Sequence, residues 1–150
     1  MEFTPYLNFD GDCAEAFAFY AKLFKGTIAY QGTYAEAPPS AGMPPLPEGA
    51  AGRIMHVRLQ VGEQVLMGSD AMPVVPGADP AESCGGYRKP QGLWVSIGVA
   101  TEAEGRRIFD GLTPGGAVTM PFQKIFFSPG FGMVVDRFGI PWMVNVTTEP

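Results

Sequence analysis

The chain has 150 residues, 46% of them hydrophobic and only 17% charged, and a formal net charge of −5. That length and composition suit one compact domain or two small fused modules with ample core. The acidic balance argues against a nucleic-acid partner, which needs a basic face to offset phosphate charge.

The start, MEFTPYLNFDGD, has no basic segment ahead of an apolar one, and the apolar run near Trp94 is far shorter than a bilayer span. Neither a signal peptide nor a membrane partner is expected, and the cytoplasm is the expected compartment. Two cysteines, Cys13 and Cys84, are too few for a disulfide framework and are expected as reduced thiols. Cys13 opens a predicted helix, whose N-terminus would favour its thiolate. No His or second Cys adjoins it in sequence, so a catalytic role is the minor reading.

In chain order, Phe3 to Phe9 alternates and predicts a strand. Asp10-Gly11-Asp12 predicts a turn with Asp12 as N-cap of a helix from Cys13 to Phe24, with Ala16, Phe17, Tyr20, Leu23 and Phe24 at helical spacing and Gly26 as its stop. Thr27 to Tyr34 predicts a second strand. The five prolines between Ala37 and Gly49 predict a loop. Arg53 to Val61 and Gln64 to Ser69 predict a hairpin about Gly62-Glu63, in which Met55, Val57, Leu59 and Val61 form the apolar face.

A Pro/Gly-rich connector, residues 72–90, separates this first module (residues 1–71) from a second (91–150) that repeats the order. Leu93 to Val99 predicts a strand. Thr101 and Glu104 have capping-box spacing before a helix that ends near Leu112. Strands at Val118 to Phe122 and Met133 to Asp136 follow, and a turn over Phe138 to Pro141 leads to a last strand, Trp142 to Thr147. FFSPGFG, after Gln123, predicts a loop able to fold over a pocket mouth, with Gly130 and Gly132 as hinges. The expected fold class is α+β: two tandem β-α-β-β-β modules in a single domain, residues 1–150, in which each sheet carries one helix and exposes its other face.

The stretches PYLNFDGDCAEAFAFY, LMGSDAMP and GFGMVVDRFGIPWMVNV are spread over most of the chain. With the tandem modules they resemble the PhnB-like branch of the vicinal oxygen chelate superfamily, which includes glyoxalase I, bleomycin-resistance proteins and extradiol dioxygenases. The resemblance implies a cup on the concave sheet faces. In metal-binding members, His, Gln or Glu on the first and last strands of each module hold a divalent ion. The matching positions here are approximately Thr4, Met67, Trp94 and Met143, and a one-residue slip gives Pro5, Gly68, Leu93 or Val144. None is a good ligand for such an ion, so no metal and no other cofactor is expected. Methyltransferase names are used in this branch, but the sequence has no strand, Gly-rich loop and helix of the kind that holds S-adenosylmethionine.

Alternation sends Leu7 and Phe9 to the helix side and leaves Tyr6 and Asn8 facing the cup. Arg58, Ser69, Ser96 and Asn145 are expected there too, with Trp94, Phe127 and Phe131 as aromatic walls and Gln123 near the mouth. That mixture suits a small organic ligand with polar ends. His56 is the sole histidine, and any His-dependent chemistry must use it. Asp70 is the candidate to orient it or to bind a substrate hydroxyl. A structural strand His and a turn Asp bonding its own backbone are the plainer readings of these two. Asp136 and Arg137 are expected as exposed turn residues, and Trp142 in the core.

The function expected first is metal-free binding of a small organic ligand. The alternative is a lyase or isomerase of glyoxalase kind using His56 and Asp70, with a divalent metal as an option. A dioxygenase, needing two His and a carboxylate around iron, is disfavoured. The resemblance also implies a homodimer, with modules paired within one chain or exchanged between two.

Overall fold

The computed structural model of the chain describes residues 1–38, 42, 45–74, 76–77 and 86–147. Cys84 lies outside the described residues. The protein is α+β and divides into two compact units, Met1–Arg88 and Lys89–Pro150, each holding a four-stranded mixed sheet and one α-helix. Among the described residues, no helix is long and apolar enough to cross a membrane.

The first unit runs β1 (Tyr6–Phe9), α1 (Cys13–Leu23), β2 (Thr27–Thr33), a 3-10 turn (Tyr34–Glu36), β3 (Ile54–Val61) and β4 (Gln64–Asp70). The sheet order is β1-β4-β3-β2, with β1 parallel to β4 and the other pairs antiparallel. The first strand begins at Tyr6, later than Phe3. Pro5 has no N–H to add to the ladder, and its carbonyl accepts from the Met67 N–H at 3.1 Å.

Helix α1 buries Cys13, Ala16, Phe17 and Tyr20, which share one face at i, i+3, i+4 and i+7. That face lies on Leu7, Phe9, Val57, Leu59 and Leu66, all buried. Gly68 permits the approach: a Cβ there would stand 2.6 Å from the Phe17 ring. Both helix ends differ from the pattern expected of Asp12 and Gly26. The Asp12 side chain makes no cap bond. At the other end Lys25, at φ 56, is the left-handed residue, and the Gly26 N–H closes the turn onto the Ala21 carbonyl at 2.9 Å. Gly26 is needed for space, since a Cβ would meet the Gln60 carbonyl oxygen at 2.6 Å.

The cap that Asp12 does not supply comes from Asp70, at the end of β4. Its buried carboxylate accepts from the N–H groups of Gly11 (2.8 Å), Cys13 (3.0 Å) and Ile54 (2.8 Å). One side chain thus joins the β1–α1 turn, the helix start and the start of β3.

The second unit repeats the plan: β5 (Val95–Val99), α2 (Glu102–Leu112), β6 (Ala117–Ile125), β7 (Ser128–Val135) and β8 (Pro141–Val146), in the order β5-β8-β7-β6. Thr101 Oγ1 accepts from the Glu104 N–H at 3.2 Å, as its spacing predicts, while the Glu104 carboxylate pairs with Arg107 at 2.7 Å. The expected FFSPGFG loop is mostly strand. Gly130 and Gly132 lie under rings, and a Cβ would stand 2.6 Å from Phe122 at the first and 2.7 Å from Phe109 at the second. They serve close packing and are not hinges.

Asp136, expected at an exposed turn, is buried. Its carboxylate accepts from the Phe138 N–H (2.9 Å), the Ile140 N–H (3.0 Å) and the indole N–H of Trp142 (2.8 Å). Trp142 is in the core, as expected.

Asp70→Ala would leave three buried N–H groups without an acceptor, and should lower the free energy of unfolding in urea by about 3 kcal/mol or more. Asp10→Ala removes only a surface pair with Arg53 (3.0 Å) and should cost less than about 1 kcal/mol. Equal small losses would contradict the role given to Asp70.

Candidate functional site

Strand β3 carries the central residues. Val57 and Leu59 point to the helix, and Arg58 is exposed on the opposite face. Between β2 and β3, His56 pairs with Gly32 and Ile54 with Thr33, so Met55 is an extra residue in the ladder. This bulge buries Ile54 in the apolar position expected for Met55 and leaves His56 on the open face with Arg58.

Cross-strand pairing places the neighbours. Arg58 lies between Tyr30 on β2 and Met67 on β4, and Met67 pairs with Tyr6 on β1. Tyr6 stacks on the His56 ring, with centroids 5.9 Å apart and planes 22° apart, and Tyr30 approaches it at 5.9 Å and 35°. His56 therefore has an aromatic ring on each flank. The Tyr6 phenol is 3.4 Å from His56 Nδ1, a long donor contact when the imidazole proton is on Nε2. Tyr6 and Tyr30 remain 52% and 51% exposed, so the cluster is open to a ligand. Gly32 makes room for it: a Cβ there would stand 2.6 Å from the Tyr30 Oη.

Tyr6, Asn8, His56, Arg58 and Ser69 share the open face of this sheet, as their alternation predicts. Asn8 is partly committed, since its Oδ1 accepts from the Phe9 N–H at 3.2 Å. Asp70 is not with them. It points to the helix side and is held by backbone donors, so it does not orient His56. Tyr30 was not singled out from the sequence. The bulges on either side of it break the period that would have placed it beside His56.

In the second unit, β8 pairs with β5 and β7, aligning Gly98, Asn145 and Phe131, and Gln123 on β6 pairs with Phe131. Phe127 meets Phe131 edge-on at 5.3 Å and Phe126 at 5.0 Å. Ser96 pairs with Met143. Trp94 precedes β5 and is half-buried. The buried Asn145 Oδ1 finds no donor among the described residues. These residues form a second aromatic and polar face, described within its own unit.

Two further groups bear on chemistry. Burial pushes the Cys13 thiol far above its usual range, with the Asp70 and Asp12 charges adding to the effect, so it is no nucleophile despite its place at a helix start. For a metal, Thr4 and Trp94 lie outside the strands, and the strand residues facing Met67 and Met143 are Tyr6 and Ser96. Thioethers, a phenol and a hydroxyl do not fit a hard or borderline divalent ion. Among the described residues, no three His, Cys, Asp or Glu side chains group as metal ligands would.

The family model described as 3-demethylubiquinone-9 3-methyltransferase matches residues 1–145. Protein YjdN of Escherichia coli K12 is 32% identical over 158 residues, covering 99% of this chain and 97% of that protein. The crystal structure of PA1353 from Pseudomonas aeruginosa is similar at 36% identity and a TM-score of 0.81, covering 99% of each chain. A Bacillus cereus structure titled as a putative 3-demethylubiquinone-9 3-methyltransferase, PhnB protein, is 26% identical with a TM-score of 0.70, covering 98% of this chain and 100% of that one. The fold alone is shared with a glyoxalase-related enzyme from Fulvimarina pelagi, at 14% identity and a TM-score of 0.57, over 98% of this chain and 89% of that one.

Gly32→Ala should push the Tyr30 phenol off its seat and change the His56 ring resonances, at a stability cost under about 1 kcal/mol because only the far end of a side chain must move. Unchanged His56 resonances would contradict the packing described.

Proposed function

We propose, from the premise that the chain belongs to the 3-demethylubiquinone-9 3-methyltransferase family as a PhnB-like member of the glyoxalase fold superfamily, that it binds a small planar organic molecule without a metal. The observation that carries this is the His56 ring flanked by Tyr6 and Tyr30 on an open sheet face. Two half-exposed tyrosines present apolar ring surface to water beside hydrogen-bonding tips, which suits a conjugated ligand with polar ends. The face of Phe127, Phe131, Gln123 and Asn145 in the second unit has the same kind of chemistry.

Methyl transfer is not our reading of this chain. The β1–α1 turn, Asp10-Gly11-Asp12, is not the glycine-rich loop that would hold S-adenosylmethionine, and its Gly11 N–H serves the Asp70 carboxylate.

A second reading is favoured by the Tyr6–His56 contact. A histidine within reach of a phenol can move a proton on a bound ligand, which is the chemistry of a lyase or isomerase of glyoxalase kind. In that reading Tyr6, and not Asp70, is the partner of His56.

The homodimer also stands as a proposal. Phe126 is almost wholly exposed at the β6–β7 turn, a group that a second copy would cover. Light scattering at micromolar protein should give twice the chain mass, and a monomer would defeat this part.

Binding of 2-naphthamide, followed by the His56 ring resonances, tests the main reading. The single histidine makes the signal unambiguous. Tyr30→Ala should weaken binding about three- to tenfold, the worth of one aromatic pair. His56→Ala should abolish any turnover in the second reading. Unaltered affinity in Tyr30→Ala, with His56 resonances that do not move, would sink the proposed site.

A further inference from the structure

The open face of the first sheet has a definite charge. In its four strands Arg58 is the only Lys or Arg, and Asp70 the only Asp or Glu. Asp70 is buried on the opposite, helix-facing side. Arg58 thus stands on a face without a strand carboxylate. It has no ion-pair partner among the described residues, although the whole chain is acidic. Tyr30 and Met67 are its direct strand partners, and His56 is two residues along the same strand and face.

An exposed guanidinium beside a ring-flanked imidazole offers two things to one molecule: planar surface for a conjugated body and a forked donor for an anionic end. We infer that the ligand of this face is a planar organic anion, its body against the Tyr6–His56–Tyr30 cluster and its carboxylate or similar oxyanion on Arg58. The guanidinium supplies up to two parallel N–H donors, the geometry that a carboxylate accepts. A cationic ligand would meet like charge here, with no acid on the strands to offset it. This inference rests on the binding reading above and adds the sign of the ligand.

The test uses the intact chain and three ligands of one shape: 2-naphthoate, neutral 2-naphthamide and cationic 2-naphthylmethylamine. Naphthoate should bind about three- to fivefold more tightly than the amide, the amine more weakly than either, and naphthoate affinity should fall as salt rises. Arg58→Gln keeps a shorter polar side chain with two N–H donors but removes the charge. It should erase the preference for naphthoate over the amide while leaving thermal stability near wild type. Amide and naphthoate bound equally by the wild type, or an undiminished preference in Arg58→Gln, would overturn the anion inference and leave ligand binding standing. Failure of all three ligands to bind up to about 10 mM would overturn both.

Discussion

The geometry of the first unit depends on one buried carboxylate. Asp70 holds the N–H groups of Gly11, Cys13 and Ile54, which belong to three different stretches of chain. Leaving such donors unpaired out of water is costly, so the three stretches are held in one arrangement. The consequence reaches the open face. Ile54 is fixed to the helix side, the Met55 bulge follows, and His56 emerges on the opposite face between Tyr6 and Tyr30. The Arg53 guanidinium adds to the same corner, donating to the Ala71 carbonyl at 2.7 Å. The residue best placed by sequence to assist catalysis is instead what positions the face on which chemistry would occur.

The second unit uses the same physical device at another place. Asp136 gathers two turn N–H groups and the Trp142 indole, tying the β7–β8 turn to the core. Both carboxylates are buried and both are matched by donors, which is how an interior tolerates an acidic group. The exposed rings and Arg58 form the face on which recognition is proposed.

Much of this was legible in the sequence because period is a local property. Alternation set Leu7, Phe9, Val57 and Leu59 against the helix and Tyr6, Asn8, His56 and Arg58 away from it. Helical spacing selected Ala16, Phe17 and Tyr20. What was not legible depends on distant partners or on irregular backbone. Two bulges hide the approach of Tyr30 to His56. An Asp before a turn is usually wet, and nothing local shows that Asp136 will meet an indole six residues on. Glycine signals a hinge and a close approach equally, and at Gly130 and Gly132 only the distant Phe122 and Phe109 rings decide for close approach.

The His56 cluster, with Arg58, is the proposed ligand-binding face of the chain. The most direct measurement is residue-resolved NMR of the intact protein during titration with 2-naphthoate. Shifts should concentrate at Tyr6, Tyr30, His56, Arg58 and Met67, which neighbour one another across four strands. Saturable shifts confined to Phe127, Phe131 and Asn145 in the second unit, with the His56 cluster silent, would contradict it.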